Sequence, residues 1–350
     1  MGLYRLILAY LVVYSHIKLY DGGGPNIHGY NTGGIAVISF LLLSGFVMTA
    51  LIRKYYLSVH FVPAFYLDRL IRLGPQFYVY LTATLLGVAF FKLHHFDLHA
   101  VPTLRLTVAQ FLIVPLNFYR YFPDVLVPQA WSLGLEAMFY AVFPFILIFR
   151  IRNVAALMSF AVFLAAHLGM IDQDLWGYRY LPGTLFIFIC GSWLESPRTD
   201  WERRLPFILC STAALLLMAT YVTPLPADRS VMLGLVLGIP AVAFLKKMGE
   251  RSRVSAFAGD LSYGVFLNHN LVVGAIISYT SISLSRLTPW REAVAFTAVC
   301  VLSTVLSYLT FTLVEKPLIA RRRNLRHGKA RDPGTVTIST PLEELKVRPD

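Results

Sequence analysis

The sequence predicts an all-α, polytopic integral membrane helix bundle. Two observations carry that expectation. Of the 350 residues, 57% are hydrophobic and only 14% are charged, a balance foreign to most soluble domains. The apolar residues also gather in repeated runs of about 20, the length that crosses a bilayer core. A third observation gives orientation. The net charge of +12 would suggest nucleic acid in a soluble protein, but here Lys and Arg collect in alternate loops, as cytosolic loops require.

The runs read as spans lie at 3–20, 34–52, 74–92, 130–149, 154–170, 179–194, 205–222, 230–246, 261–283 and 291–314, which makes about ten helices. With the N-terminus inside, the cytosolic segments hold Arg53, Lys54, Arg69 and Arg72, then Arg150 and Arg152. Arg198, Arg203 and Arg204 follow, then Lys246, Lys247, Arg251, Arg253 and a basic tail. The short loop with Asp172 and Asp174 falls outside. The expected topology is therefore N-in, C-in, which demands an even number of spans.

Three stretches do not read as spans. Residues 53–73 interleave cations and aromatics like an interfacial amphipathic segment. Residues 93–129 form an outer loop whose apolar part, 108–118, is too short to cross and reads as re-entrant or as a cap on a cavity. Residues 321–350, beginning RRRNLRHGKARDPG, read as a disordered basic cytosolic tail. The chain thus divides into a membrane domain, 1–320, and a tail, 321–350. Cys190, Cys210 and Cys300 sit inside apolar runs without metal-ligand spacing, so neither a disulfide framework nor a metal site is expected. His94, His95 and His99 read as a solvated loop.

Ionisable residues inside spans are functional candidates by default. Arg5 and His16 interrupt the first run. Their spacing brings both to one helix face, roughly 16 Å apart along the axis, so one stripe could hold both ends of an elongated ligand. Arg5 would equally serve as a cytosolic anchor and His16 as a packed interfacial histidine. Glu136 lies in the fourth run after Trp131. Counted from the outer surface, it shares a depth with His16, and a buried carboxylate beside an imidazole suits a general base. Arg69 and Arg72, three apart, point the same way. With Arg5 they make a cluster of guanidiniums suited to bidentate phosphate binding. His269 and Asn270 are candidate cavity-lining residues, while Glu315, Lys316 and Pro317 read as a structural helix end. Gly33, Gly34, Ser44 and Gly45 read as close helix packing.

Taken together, these pieces resemble the acyltransferase 3 family, bacterial membrane-bound O-acyltransferases that modify surface glycans. The resemblance runs from Arg5 to about Pro317. It rests on the Arg5–His16 spacing, Ser44-Gly45-Phe46, FYLDRLIRLGPQFY, WSLGLEAMFY, LSYGVFLNH and VEKPLI, in that order. Gly74 stands before Pro75 where members commonly carry an aromatic, and Phe266 where a tyrosine is common. Neither departure is expected to touch the chemistry.

The resemblance implies a cytosolic acyl-CoA donor, with acetyl-CoA the expected co-substrate, and no bound cofactor. Arg5, Arg69 and Arg72 would hold its phosphates. The pantetheine arm would follow the first helix to His16. There His16, oriented by Glu136, would take the proton of a saccharide or glycolipid hydroxyl arriving from outside. An acyl-histidine intermediate is the other route. A bacterial inner membrane and membrane lipids are the implied surroundings. Two other readings share these features. One is a transporter or flippase of a lipid-linked glycan or small solute. The other is an acyltransferase acting on a macrolide-like molecule.

Overall fold

A computed structural model of the chain describes residues 1–20, 28–93, 102–118, 120–122, 125–249, 252–280 and 287–319. The expected tail and the histidines at 94, 95 and 99 lie outside these residues. The described chain is all-α. Its helices are α1 (Gly2–Tyr20), α2 (Thr32–Tyr55), α3 (Val62–Phe91), α4 (Leu104–Phe111), α5 (Trp131–Ile148) and α6 (Arg152–His167). They continue with α7 (Leu181–Glu195), α8 (Asp200–Val222), α9 (Arg229–Met248), α10 (Arg253–Tyr279) and α11 (Pro289–Thr310).

Among the described residues, seven helical segments are long and apolar enough to cross a membrane: those of α2, α3, α5, α8, α9, α10 and α11. The chain is thus a polytopic membrane bundle. The other three expected spans are also helices but fall short of that measure. α6 has 16 residues and α7 has 15, and α1 carries Arg5, His16 and Lys18. Their polar content and length, not a lack of helix, separate them from the seven.

Helix α7 is the hub. Every residue from Gly183 to Leu194 is buried, so its apolar run has no lipid-facing side and needs none of the amphipathic pattern of a surface helix. It packs along α2 at near backbone contact. A Cβ on Gly45 would fall 1.8 Å from Phe188 O, and one on Gly191 2.0 Å from Leu42 O. Small residues at such a seam are how helices associate where lipid is as apolar as their side chains. α1 lies against α10, and α10 against α11. At one end of this group Leu3 N–H donates to Ser255 Oγ (3.0 Å). At the other, Lys18 pairs with Glu292 at 2.6 Å. We call these the arginine end and the histidine end, after the groups that lie toward each.

Two stretches depart from expectation. Residues 53–73 are not a separate interfacial segment. α2 runs on to Tyr55, and α3 starts at Val62 and continues through Pro75, so Arg69 and Arg72 ride on the same helix as the following span. The apolar stretch at 108–118 forms α4 and a 3-10 turn, Val114–Asn117, packed on α5. Asn117 Nδ2 donates to Trp131 O (3.4 Å) and Arg179 O (2.8 Å). Gly134 admits this backbone, since a Cβ there would lie 2.9 Å from Asn117 N and Ile113 O. Non-helical backbone at such a place is tolerated when protein covers it.

Candidate active site

At the arginine end, α1, α2, α3, α5 and α10 enclose a cavity of about 230 Å³ whose polar lining includes Arg5, Ser44, Arg69, Arg72, Glu136 and Tyr140. The three arginines singled out in the sequence therefore share one space. They differ in how far they are already satisfied. Arg69 is ion-paired with Asp68, whose carboxylate also accepts from Tyr56 OH (2.7 Å). Arg72 is ion-paired with Glu315 and lies over the Tyr263 ring at 6.0 Å. Buried Arg69 Nε and Glu315 Oε2 lack hydrogen-bond partners among the described residues. The Arg5 guanidinium has no hydrogen bond or ion pair within the described residues.

Glu315 was read from the sequence as part of a helix end. In the fold it is fully buried and neutralises one of the three arginines. Its signal was an acidic residue at the arginine end of the last helix, where cations are the rule.

Glu136 belongs to this cavity and not to His16. Its Oε1 accepts from Ser44 Oγ (2.9 Å) and from Tyr140 OH. The depth that suggested a His16–Glu136 couple was counted from Trp131 as though that residue lay at the membrane surface. In the fold α5 begins further from the histidine end than α2 does, since its sixth residue, Glu136, meets the thirteenth of α2, Ser44. Glu136 therefore sits deeper, level with Ser44 in the middle of α2.

At the histidine end the partner of His16 is His269. His269 Nε2 lies 3.2 Å from His16 Nδ1, with ring centroids 4.8 Å apart. For two neutral rings the hydrogen bonds assign the tautomers, because carbonyl oxygens only accept. His269 Nδ1 lies 3.2 Å from Val265 O and must carry the proton there, which leaves its Nε2 as a lone pair. His16 Nδ1–H is shared between Val12 O (3.0 Å) and that lone pair. His16 Nε2 is then the unprotonated nitrogen, with no protein partner among the described residues. A proton arriving on it would make an imidazolium whose Nδ1–H bond to His269 is charge-assisted and therefore stronger. The orienting role expected of Glu136 is within reach of His269 instead.

Beside this pair, Asn270 Nδ2 donates to Gln129 Oε1 (2.7 Å), while Asn270 Oδ1 is buried without a partner. His269 is fully buried. Neither histidine lines the arginine cavity. Phe266 does, and its ring stands 6.4 Å from that of His269. Phe266, expected to lie away from the chemistry, thus lines this cavity and contacts His269.

Comparison with known proteins finds relatives along most of this chain. The profile of a family described as "Acyltransferase domain" matches residues 2–312. A curated relative in Rhizobium meliloti (strain 1021), "Exopolysaccharide production protein ExoZ", is 26% identical over 313 residues, covering 85% of this chain and 93% of its own. An uncharacterized protein of Aquifex aeolicus (strain VF5) is 29% identical over 207 residues, covering 57% of this chain and 90% of its own. No solved structure matches.

Proposed function

The chain belongs to the acyltransferase domain family, whose profile spans almost all of its helices. We propose that it is an inner-membrane O-acyltransferase moving an acyl group from cytosolic acyl-CoA to a hydroxyl of a saccharide or glycolipid. The arginine end faces the cytosol, with ten spans and both termini inside. The acceptor comes from the opposite side. The name of the Rhizobium relative, a protein of exopolysaccharide production, supports a saccharide acceptor.

One observation carries this reading: three arginines, two of them already half-neutralised and one unpaired, open into a single cavity. A guanidinium is matched to phosphate oxygens in shape and charge, and CoA presents several phosphates next to a slim apolar-and-amide arm. Arg5 lies roughly 16 Å from His16 along α1, a distance an extended arm can cover. Glu136, held by Ser44 and Tyr140, keeps acceptor capacity for the amide N–H groups of that arm.

In the chemical step, His16 Nε2 takes the acceptor hydroxyl's proton as its oxygen attacks the thioester carbon. The C–S bond breaks, and the proton passes from His16 to the leaving thiolate. His269 holds the transient imidazolium. His16 is the catalytic residue in this reading; His269 and Glu136 are positioning residues. The test uses purified protein in lipid nanodiscs, labelled acyl-CoA and a glycolipid extract, with ester formation read by mass spectrometry. Arg69→Ala should raise the KM for acyl-CoA about tenfold with a smaller change in kcat, as loss of binding common to ground and transition states does. A wild-type protein that forms no ester with any donor would defeat the reading.

A further inference from the structure

Neither histidine lines the cavity, but a pair of aromatic rings joins the two. Phe40 of α2 and Phe266 of α10 both line the cavity, as does Val37, just under one turn from Phe40 along α2. The two rings meet edge to face, with centroids 6.0 Å apart and planes at 69°. Phe266 then contacts His269, which contacts His16. Ser44, which touches Glu136, lies one turn from Phe40 along α2. His269 lies just under one turn from Phe266 along α10. The Phe40–Phe266 pair therefore lies between the two polar centres.

Both rings are only half-buried, because one side of each borders the cavity. A ring with free space on one face can turn about its side-chain torsions without displacing packed neighbours, whereas a ring enclosed on all sides cannot. Phe266 packs against core residues on its other sides, so the cavity is the side toward which its ring can turn.

We infer that Phe40 and Phe266 form an aromatic door between donor cavity and histidine pair, and that its open width selects short acyl groups. This rests on the acyl-CoA reading above, since it concerns how the thioester reaches His16. The phosphates and most of the arm stay on the arginine side. Only the thioester and its acyl group cross, so the door acts on acyl size and leaves CoA binding alone. Phe266 is thereby a specificity-determining residue.

The test compares acetyl-, butyryl- and octanoyl-CoA in nanodiscs. Two readouts are taken: acceptor-dependent ester formation, and equilibrium binding of radiolabelled CoA. Wild type should lose at least about tenfold in kcat/KM from acetyl to octanoyl, a loss in the range that pocket size imposes. Phe266→Ala should bring octanoyl to within about threefold of acetyl, and Phe266→Trp should slow acetyl transfer about tenfold or more. CoA affinity should stay unchanged in both. Phe40→Leu should relax the profile in the same direction, which guards against a fold defect at position 266.

Ester formation with one and the same chain-length profile in wild type, Phe266→Ala and Phe40→Leu would overturn the door while leaving the acyltransferase reading intact. So would variants whose CoA affinity falls in step with turnover. No ester from wild type with any of the three donors would remove both.

Discussion

Arg152 and Arg5 both lie toward the arginine end of the bundle, and by composition alone they are interchangeable positive-inside residues. Their surroundings differ completely. Arg152 is 1% exposed and heavily bonded. It is ion-paired with Glu202, its Nε donates to Glu202 Oε1 (3.1 Å), and its other nitrogens reach Ser192 Oγ (3.4 Å) and Ser196 O (2.9 Å). Glu202 in turn accepts from Arg198 N–H at 2.5 Å. Four of the five guanidinium N–H donors are thereby used within the protein. Arg5 opens into a cavity with no described partner. Arg69 and Arg72 stand between the extremes, each with one acid. On the proposed reading, a cation's unfilled hydrogen-bonding capacity, and not its burial or charge, separates a binding arginine from a structural one.

The comparison breaks most sharply under substitution. Arg152→Ala should destabilise the protein by about 3–5 kcal/mol, since it strands Glu202 as an uncompensated buried charge. Thermal unfolding in detergent reads this directly. The pair replacement Arg152→Met with Glu202→Leu should recover most of the loss, because a buried ion pair exchanged for packed apolar groups is often neutral. Arg5→Ala should do the reverse. Its melting temperature should match wild type, while KM for acyl-CoA rises about tenfold, or ~1.4 kcal/mol.

Glu136→Gln sharpens a second contrast, between the two polar centres. As a positioning residue of the donor cavity it should raise KM severalfold with a modest loss of kcat. A thousandfold fall in kcat at constant KM would instead place Glu136 in the chemical step.

The smallest effect belongs to Asp172 at the histidine end, outside the spans. The Leu175 N–H bond and then Arg120 hold its carboxyl below the ordinary value. A depressed folded value means its stabilising contribution is present above the unfolded Asp range and is lost as pH falls through the folded value. Asp172→Asn should therefore lower the melting temperature slightly at neutral pH. The difference should vanish in strong acid, as a pH series of melting curves would read.

Much of this was legible in the sequence. Apolar runs located ten helices, and the Arg5–His16 spacing put a cation and an imidazole toward opposite ends of α1. The spacing of Arg69 and Arg72 put both in one cavity, even though the helix carrying them is longer than their composition suggested. What stayed illegible depends on where a helix begins relative to the membrane. Glu136 has Ser44 and Tyr140 as neighbours instead of His16 because α5 begins further from the histidine end than α2 does, an offset no hydropathy window registers. The pairing of His16 with His269, and of Arg72 with Glu315, joins residues 253 and 243 positions apart. Only the packing of α1 on α10, and of α3 against the end of α11, creates those pairs.

The central claim is a division of labour: arginines grip the donor in one chamber and a histidine pair performs the transfer in another. The most direct test measures CoA affinity and ester formation together in His16→Ala. The account predicts unchanged CoA affinity and ester formation reduced by about 10²–10⁴-fold. Ester formation at the wild-type rate, at normal protein levels, would contradict it.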